Sequence, residues 1–396
     1  MILNAIKTAK HFFLSAVTVF FLLIFFSFTG CSFAKTTPDN PVDFSRHADG
    51  SRITAEELSA YQKNILATLF ITEKDGVLTG THTGLFSTVV SVTLYDCTDK
   101  ELLKNCFSLL AEYETVFSRT LPGSELYAVN HNTSGSAELS DELAQLLSLG
   151  LSGREISKNR FDITVAPLSD LWSFGSGNPN VPDADAVEKC LADVNGEAVL
   201  LEGSHLTYPA GTQFDLGALA KGWISDRLAA YLKEQGIQSA LINLGGNTLA
   251  LGEKPDGSAY RVGITMPFSA SSELAGVLTI KNKSVVTSGI YERYFIENGT
   301  LYHHILDATT GYPVKNNLLS VTIVCENSAL ADLLSTVCFL LGKDDGLALI
   351  EELSAHTELF ALFLSGAYDT KTQSVTNPEY HFSEGFEEIF GLEPTY

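Results

Sequence analysis

The chain has 396 residues, 45% of them hydrophobic, with 47 acidic against 25 basic side chains and a formal net charge of −22. That length and apolar fraction are enough to bury a core for one large or two ordinary domains. The acidic excess argues against nucleic acid as a partner, and against direct binding to anionic lipid.

Lys7 and Lys10 precede an uncharged apolar run from Phe12 to Phe28, and Thr29, Gly30 and Cys31 follow. This pattern is expected of a lipoprotein signal over residues 1–30, cut before a lipid-carrying Cys31. An uncleaved membrane helix is the alternative, since the run is nearly long enough to span. Small residues before the cysteine and polar ones after it favour the signal, although Phe28 stands where such signals usually carry leucine. Cleavage would remove two lysines and leave 23 basic against 47 acidic residues, net −24. A lipid on Cys31 would then be the sole membrane attachment, placing the protein on the extracytoplasmic face of a bacterial cell membrane. Residues 31–53 lack periodicity and read as a flexible tether, leaving 54–396 as the folded part. The five later cysteines are odd in number, widely spaced and without a C-x-x-C pair, so they define neither a disulfide framework nor a zinc site.

Residues 54–70 have modest helical character. The β-branched run Leu85–Asp96 predicts a strand, and the three- and four-residue apolar spacing after it predicts a helix ending near Phe117. A Pro-Gly loop leads into a short helix, and Ser140 with Asp141 and Glu142 opens another. In RFDITVAPLSDLWSFGSG, Pro167 and the glycines break regular structure beside large aromatics, which either plug a core or line a flat ligand. TQFDLGALAKGW reads as a short strand, a turn at Gly217 and a helix running to Gly236, with Lys221 near the helix start. SALINLGGNTLALG is a strand, a glycine turn and a strand; Leu278–Tyr294 continues as strand, LSVTIVC alternates, and a helix over 328–341 and a last strand ELFALFLSG follow. Interspersed helices and hairpin-like strand pairs, without an internal repeat, point to a mixed α+β fold.

Two groups of residues carry chemistry. Asp332, Ser335 and Thr336 share one face of an otherwise apolar helix, where a buried carboxylate needs a partner. A magnesium ion would satisfy it, and so would donors from a nearby turn. His303 and His304 are adjacent on an extended segment and point to opposite faces, so only one can serve a given site, as a base or as a structural hydrogen-bonder. Free backbone N–H groups and Lys221 at a helix start suit a phosphate, although no standard nucleotide loop is present and Lys221 could equally be solvated.

Taken together, FDITVAPLSDLWSFG, DLGALAKGW, INLGGN, TSGIYERYF, HHILDATTGYPV and ALADLLSTV resemble the ApbE-type flavin transferases, in the family's order and over about residues 80–390. The resemblance implies a single mixed α/β, T-fold-like catalytic domain and a magnesium-dependent transfer of FMN from FAD. In it a Thr or Ser hydroxyl of an acceptor protein, an electron-transfer flavoprotein, attacks the FMN phosphorus and AMP leaves. His304 looks like the base. The metal ligands would be the main-chain carbonyl of Ala218 and the side chains of Asp332 and Thr336, with Ser335 at the neighbouring position. FAD would lie against Phe86, Thr120, Phe161, Asp162, Asp215, Lys221, His304 and Ile305.

The chain departs from the family pattern in three places: Asp307-Ala308 replaces Asp-Pro, the stretch Leu85-Phe86-Ser87-Thr88 replaces a Met-Gly-Thr start, and Thr120 replaces an aromatic. The nearest approach to a flavin acceptor motif is Leu364–Tyr368, which lacks both ends, so a separate acceptor protein is expected. The alternatives are FAD hydrolysis to FMN and AMP, and a flavin-binding lipoprotein without catalysis.

Overall fold

The computed structural model describes residues 54–175, 179–269 and 273–387. The expected signal over 1–30, Cys31 and the tether 31–53 lie outside them.

The centre of the molecule is a nine-stranded sheet: β1 (Phe70–Lys74), β2 (Val77–Thr83), β3 (Val89–Leu94), β4 (Ser239–Leu244), β5 (Asn247–Gly252), β6 (Ser284–Gly289), β7 (Leu318–Cys325), β8 (Leu359–Asp369) and β9 (Ser374–Phe382). The strands lie in chain order and every neighbouring pair is antiparallel. All eight residues of β7 are buried, so its alternating sequence is covered on both faces rather than one. Six longer helices accompany the sheet: α1 (Ala55–Ala67), α2 (Lys100–Phe117), α3 (Asp141–Ile156), α4 (Ala220–Glu234), α5 (Ser328–Leu341) and α6 (Lys343–Ser354).

Local chemistry sets the ends of these helices. Thr54 and Glu57 form a reciprocal capping box on α1. Asn327 caps α5 by accepting from Leu330 N–H at 2.7 Å, and the first two N–H groups of α5, on Ser328 and Ala329, donate to Asp226 of α4 at 2.9 Å each. The two helices therefore meet end to flank, and Gly222 lets them close. A Cβ at that position would stand 2.2 Å from the Ser328 carbonyl oxygen and 2.7 Å from Asp332 Cβ.

Three readings of the sequence change. Residues 85–87 form a 3-10 turn and the strand starts only at Val89, because Phe86 and Ser87 adopt φ of 53° and 56°, which a strand cannot accommodate. The expected strand before Gly217 is absent: residues 212–216 are irregular. The aromatic stretch contains a short helix, Ala166–Trp172, and divides its work. Trp172 is fully buried in a small core with Leu168, Val187 and Leu306, its indole N–H donating to Gly311 O at 2.8 Å, whereas Phe161 and Phe174 face a cavity.

Candidate active site

The sheet is weakest at its middle. β5 and β6 pair through two residue pairs only, Ser284 with Leu249 and Val285 with Thr248, and the hairpin Tyr260–Thr265/Leu274–Ile280 is inserted between them. A cavity of about 1030 Å³ opens at this seam, lined from β4–β6, the start of α4, one face of α5 and the turn ahead of β3. That is the upper end of small-molecule sites, which run to roughly 1,000 Å³.

The hydrogen bonds of the two histidines tell them apart. His303 is buried; its Nε2 meets the Val314 carbonyl at 3.1 Å and its Nδ1 accepts from Ile305 N–H at 3.3 Å. Both of its nitrogens are committed. His304 Nδ1 meets the Arg293 carbonyl at 3.2 Å, and because a carbonyl only accepts, the proton sits on Nδ1 and the lone pair on Nε2. His304 lines the cavity, and among the described residues its Nε2 has no partner. Burial by the surrounding protein, then the nearby Arg293 and His303, push its pKa down to about 3, so the ring is neutral and its Nε2 lone pair is free.

Asp332 is buried at the cavity edge, where its Oδ2 accepts from Gly222 N–H at 2.8 Å; no described donor reaches Oδ1. Thr336, one turn on, also lines the cavity, with its hydroxyl 3.1 Å from Ser288 Oγ. Ser335 does not reach the cavity. It is fully buried, bonded to Ser288 Oγ at 2.7 Å and to the Asp332 carbonyl at 2.9 Å. Ala218 also lines the cavity. Carboxylate, hydroxyl and carbonyl oxygens without a nitrogen or sulfur among them make a donor set suited to a hard divalent cation. Among the described residues, no group of three or more His, Cys, Asp or Glu side chains is placed to hold a metal ion.

The start of α4 lies in the same wall. It has no side-chain cap, and Gly217, Ala218, Ala220 and Lys221 all face the cavity, with Lys221 Nζ 3.2 Å from the Gly217 carbonyl. The positive helix end and an ammonium converge there, with Gly217 and Gly222 N–H already taken by Asp215 and Asp332. Asp215 is held by Gly217 N–H at 2.9 Å and by Arg119 Nε at 3.2 Å, and Arg119 also pairs with Asp170 at 2.8 Å.

The remaining expected residues, Phe86, Thr120, Phe161, Asp162 and Ile305, all line the cavity. The Asp162 carboxylate is occupied by Thr164, by Gly196 N–H at 3.1 Å and by Arg154 at 3.3 Å, so it fixes the loops of the wall. Sequence reasoning passed over Glu114, Arg119, Asn243, Ser288, Glu292 and Arg293, which also face the cavity. Ser288, Glu292 and Arg293 stand inside the TSGIYERYF string; its wholesale reading as strand hid the turn after Gly289 that presents Glu292 and Arg293, while Ser288 belongs to β6.

The family model for ApbE matches residues 86–361, most of the chain, and the chain belongs to the ApbE family. It is 36% identical over 258 residues to a protein of Klebsiella pneumoniae named FAD:protein FMN transferase, covering 64% of this chain and 80% of that one. A Treponema pallidum protein of the same name is 36% identical over 275 residues, covering 65% and 76%. Among solved structures, the Pseudomonas stutzeri flavinyl transferase ApbE superposes with a TM-score of 0.68 at 27% identity, over 82% of this chain and 98% of that one. The Vibrio cholerae flavin transferase ApbE gives 0.67 at 25% identity, over 81% and 99%.

Proposed function

We infer that this protein is a flavin transferase that moves FMN from FAD onto a Ser or Thr hydroxyl of another protein, releasing AMP. One observation carries the chemistry: His304 presents an unpartnered Nε2 to the same cavity that holds Lys221, Asp332 and Thr336. Nε2 takes the proton of the acceptor hydroxyl as its oxygen attacks the FMN phosphorus. The bond from that phosphorus to the AMP oxygen breaks, AMP leaves, and the flavin stays on the acceptor as a phosphoester. Lys221 and the uncapped start of α4 hold the pyrophosphate and offset its charge as the bond breaks. Asp332, Thr336 and the Ala218 carbonyl would hold magnesium, which when bound neutralises phosphate charge.

The acceptor is a separate protein carrying a Ser/Thr flavinylation motif, of the electron-transfer flavoprotein kind. The nearest internal candidate hydroxyl, Ser365, is 1% exposed within β8 and bonded to His381 at 2.9 Å. With a lipid on Cys31, the enzyme would work at the extracytoplasmic face of the bacterial cell membrane, where its acceptor must also be exposed. The test is to incubate the protein with FAD, magnesium and a candidate acceptor, denature, and read flavin fluorescence on the acceptor band. A labelled acceptor is expected. Free FMN and AMP without label would make the protein a hydrolase; intact FAD would make it a binding protein.

A further inference from the structure

The turn that carries Phe86 into the cavity is held from behind by α1, which precedes the family-matched stretch. Gly84, Phe86 and Ser87 all have positive φ, of 126°, 53° and 56°. For Phe and Ser this is an uncommon backbone state that persists only where the surroundings over-determine it. The two N–H groups at the centre of the turn each end on a side chain. Phe86 N–H donates to Glu114 Oε1 at 2.9 Å, and Glu114 Oε2 accepts from Tyr61 Oη of α1 at 2.5 Å. Leu85 N–H points to His82 Nδ1 at 3.4 Å, and His82 Nε2 lies 2.9 Å from Thr68 Oγ1, just past the end of α1.

The second relay has a consistent direction. If Leu85 donates to Nδ1, the proton is on Nε2 and goes to Thr68, whose own hydroxyl donates to the Asn64 or Ile65 carbonyl at 3.2 or 3.3 Å. His82 is buried and neutral in this arrangement. Two adjacent backbone groups of one strained turn are thus each tied to α1 through one polar side chain.

We propose that Tyr61 and Thr68 are positioning residues for FAD, acting through Glu114 and His82 to hold the 84–88 turn and set Phe86 in the cavity wall. The proposal rests on the cavity being the FAD site. It gives α1 a part in substrate binding rather than only in packing against α2.

Amide hydrogen exchange in the full-length protein reads the turn itself, without FAD. Tyr61→Phe and Thr68→Val should each speed exchange of the peptide spanning 84–88 by about five- to tenfold, the loss of one modest hydrogen bond. FAD affinity, followed by flavin fluorescence, should fall by a similar factor, with kcat at saturating FAD within about twofold of wild type. Glu114→Gln, whose amide can still accept from Phe86 and meet Tyr61, should keep the turn protected, whereas Glu114→Ala should not. Unchanged exchange and FAD affinity in a folded Tyr61→Phe protein would overturn the proposal. Faster exchange with unchanged affinity would overturn it too, by separating the turn from the ligand. A wild-type protein without measurable FAD affinity would remove the functional reading, while exchange would still decide whether α1 holds the turn.

Discussion

His303 and His304 show how neighbours of one residue type are assigned opposite work by what their ring nitrogens meet. The strand ends at His303 and the chain bends at His304; Val314 and Ile305 consume one ring, and the Arg293 carbonyl leaves the other half free. His304→Ala should therefore lower transfer by at least about 100-fold, the usual scale for a lost general base, while FAD still binds. Retained transfer would show that the proton goes elsewhere. His303 makes a different prediction. Burial lowers its pKa from 6.5 to about 4, so below pH 6.5 the unfolded chain takes up a proton that the folded chain refuses. Its contribution to stability is complete above pH 6.5 and is lost as pH falls toward 4, at up to about 1.4 kcal/mol per pH unit. Urea unfolding at pH 7 and pH 5 should show this decline, and His303→Asn should reduce it without abolishing it, because His304, its pKa also pushed down, keeps its own share; parallel declines in both proteins would assign the proton uptake to other groups. Asp332→Ala should abolish metal-stimulated turnover and leave Gly222 N–H without its acceptor. Metal-stimulated turnover that persists in this variant would refute the ligand assignment.

At the scale of elements, α4 and α5 depend on a contact of glycine with backbone. Gly222→Ala puts a methyl 2.2 Å from the Ser328 carbonyl oxygen, and backbone on both sides leaves little room to yield. The expected cost is about 3 kcal/mol, the upper end for overpacking, measurable as a lower urea midpoint. A midpoint within error of wild type would mean that the helices separate freely. The extent to which elements were legible follows from how local their signals are. α5 could be read to its ends, because Asn327 caps it and the apolar run ends at Gly342. The β1–β2 hairpin announced itself in Asp75-Gly76, whose φ values of 53° and 79° make the tight turn, yet the polar FITEK strand concealed it. The turn at 85–87 was invisible to propensity: Phe and Thr favour strands, and the bonds that Leu85 and Phe86 N–H donate to His82 and Glu114, together with the backbone bonds from Ser87 to Gly84 and from Thr88 to Leu85, hold the chain otherwise. Arg119 and Glu114 escaped for a related reason, since each looks like an ordinary residue of a helix or loop until the chain is folded around the cavity.

For the molecule as a whole, the strands lie across the sheet in the order in which they are made, and the cavity sits where β5 yields to β6. Residues up to Gly252 supply Phe86, Asp215, Ala218 and Lys221; residues from Ser284 supply His304, Asp332 and Thr336. A chain growing from its N-terminus can pair β1 to β3 early, whereas β3 must wait for β4, which begins only at Ser239. His304, Asp332 and Thr336, however, join the cavity only late in the chain. Under the mechanism proposed above, unfinished or truncated chains are chemically silent toward FAD turnover, and the ability to split a valuable dinucleotide arrives only with the last third of the protein.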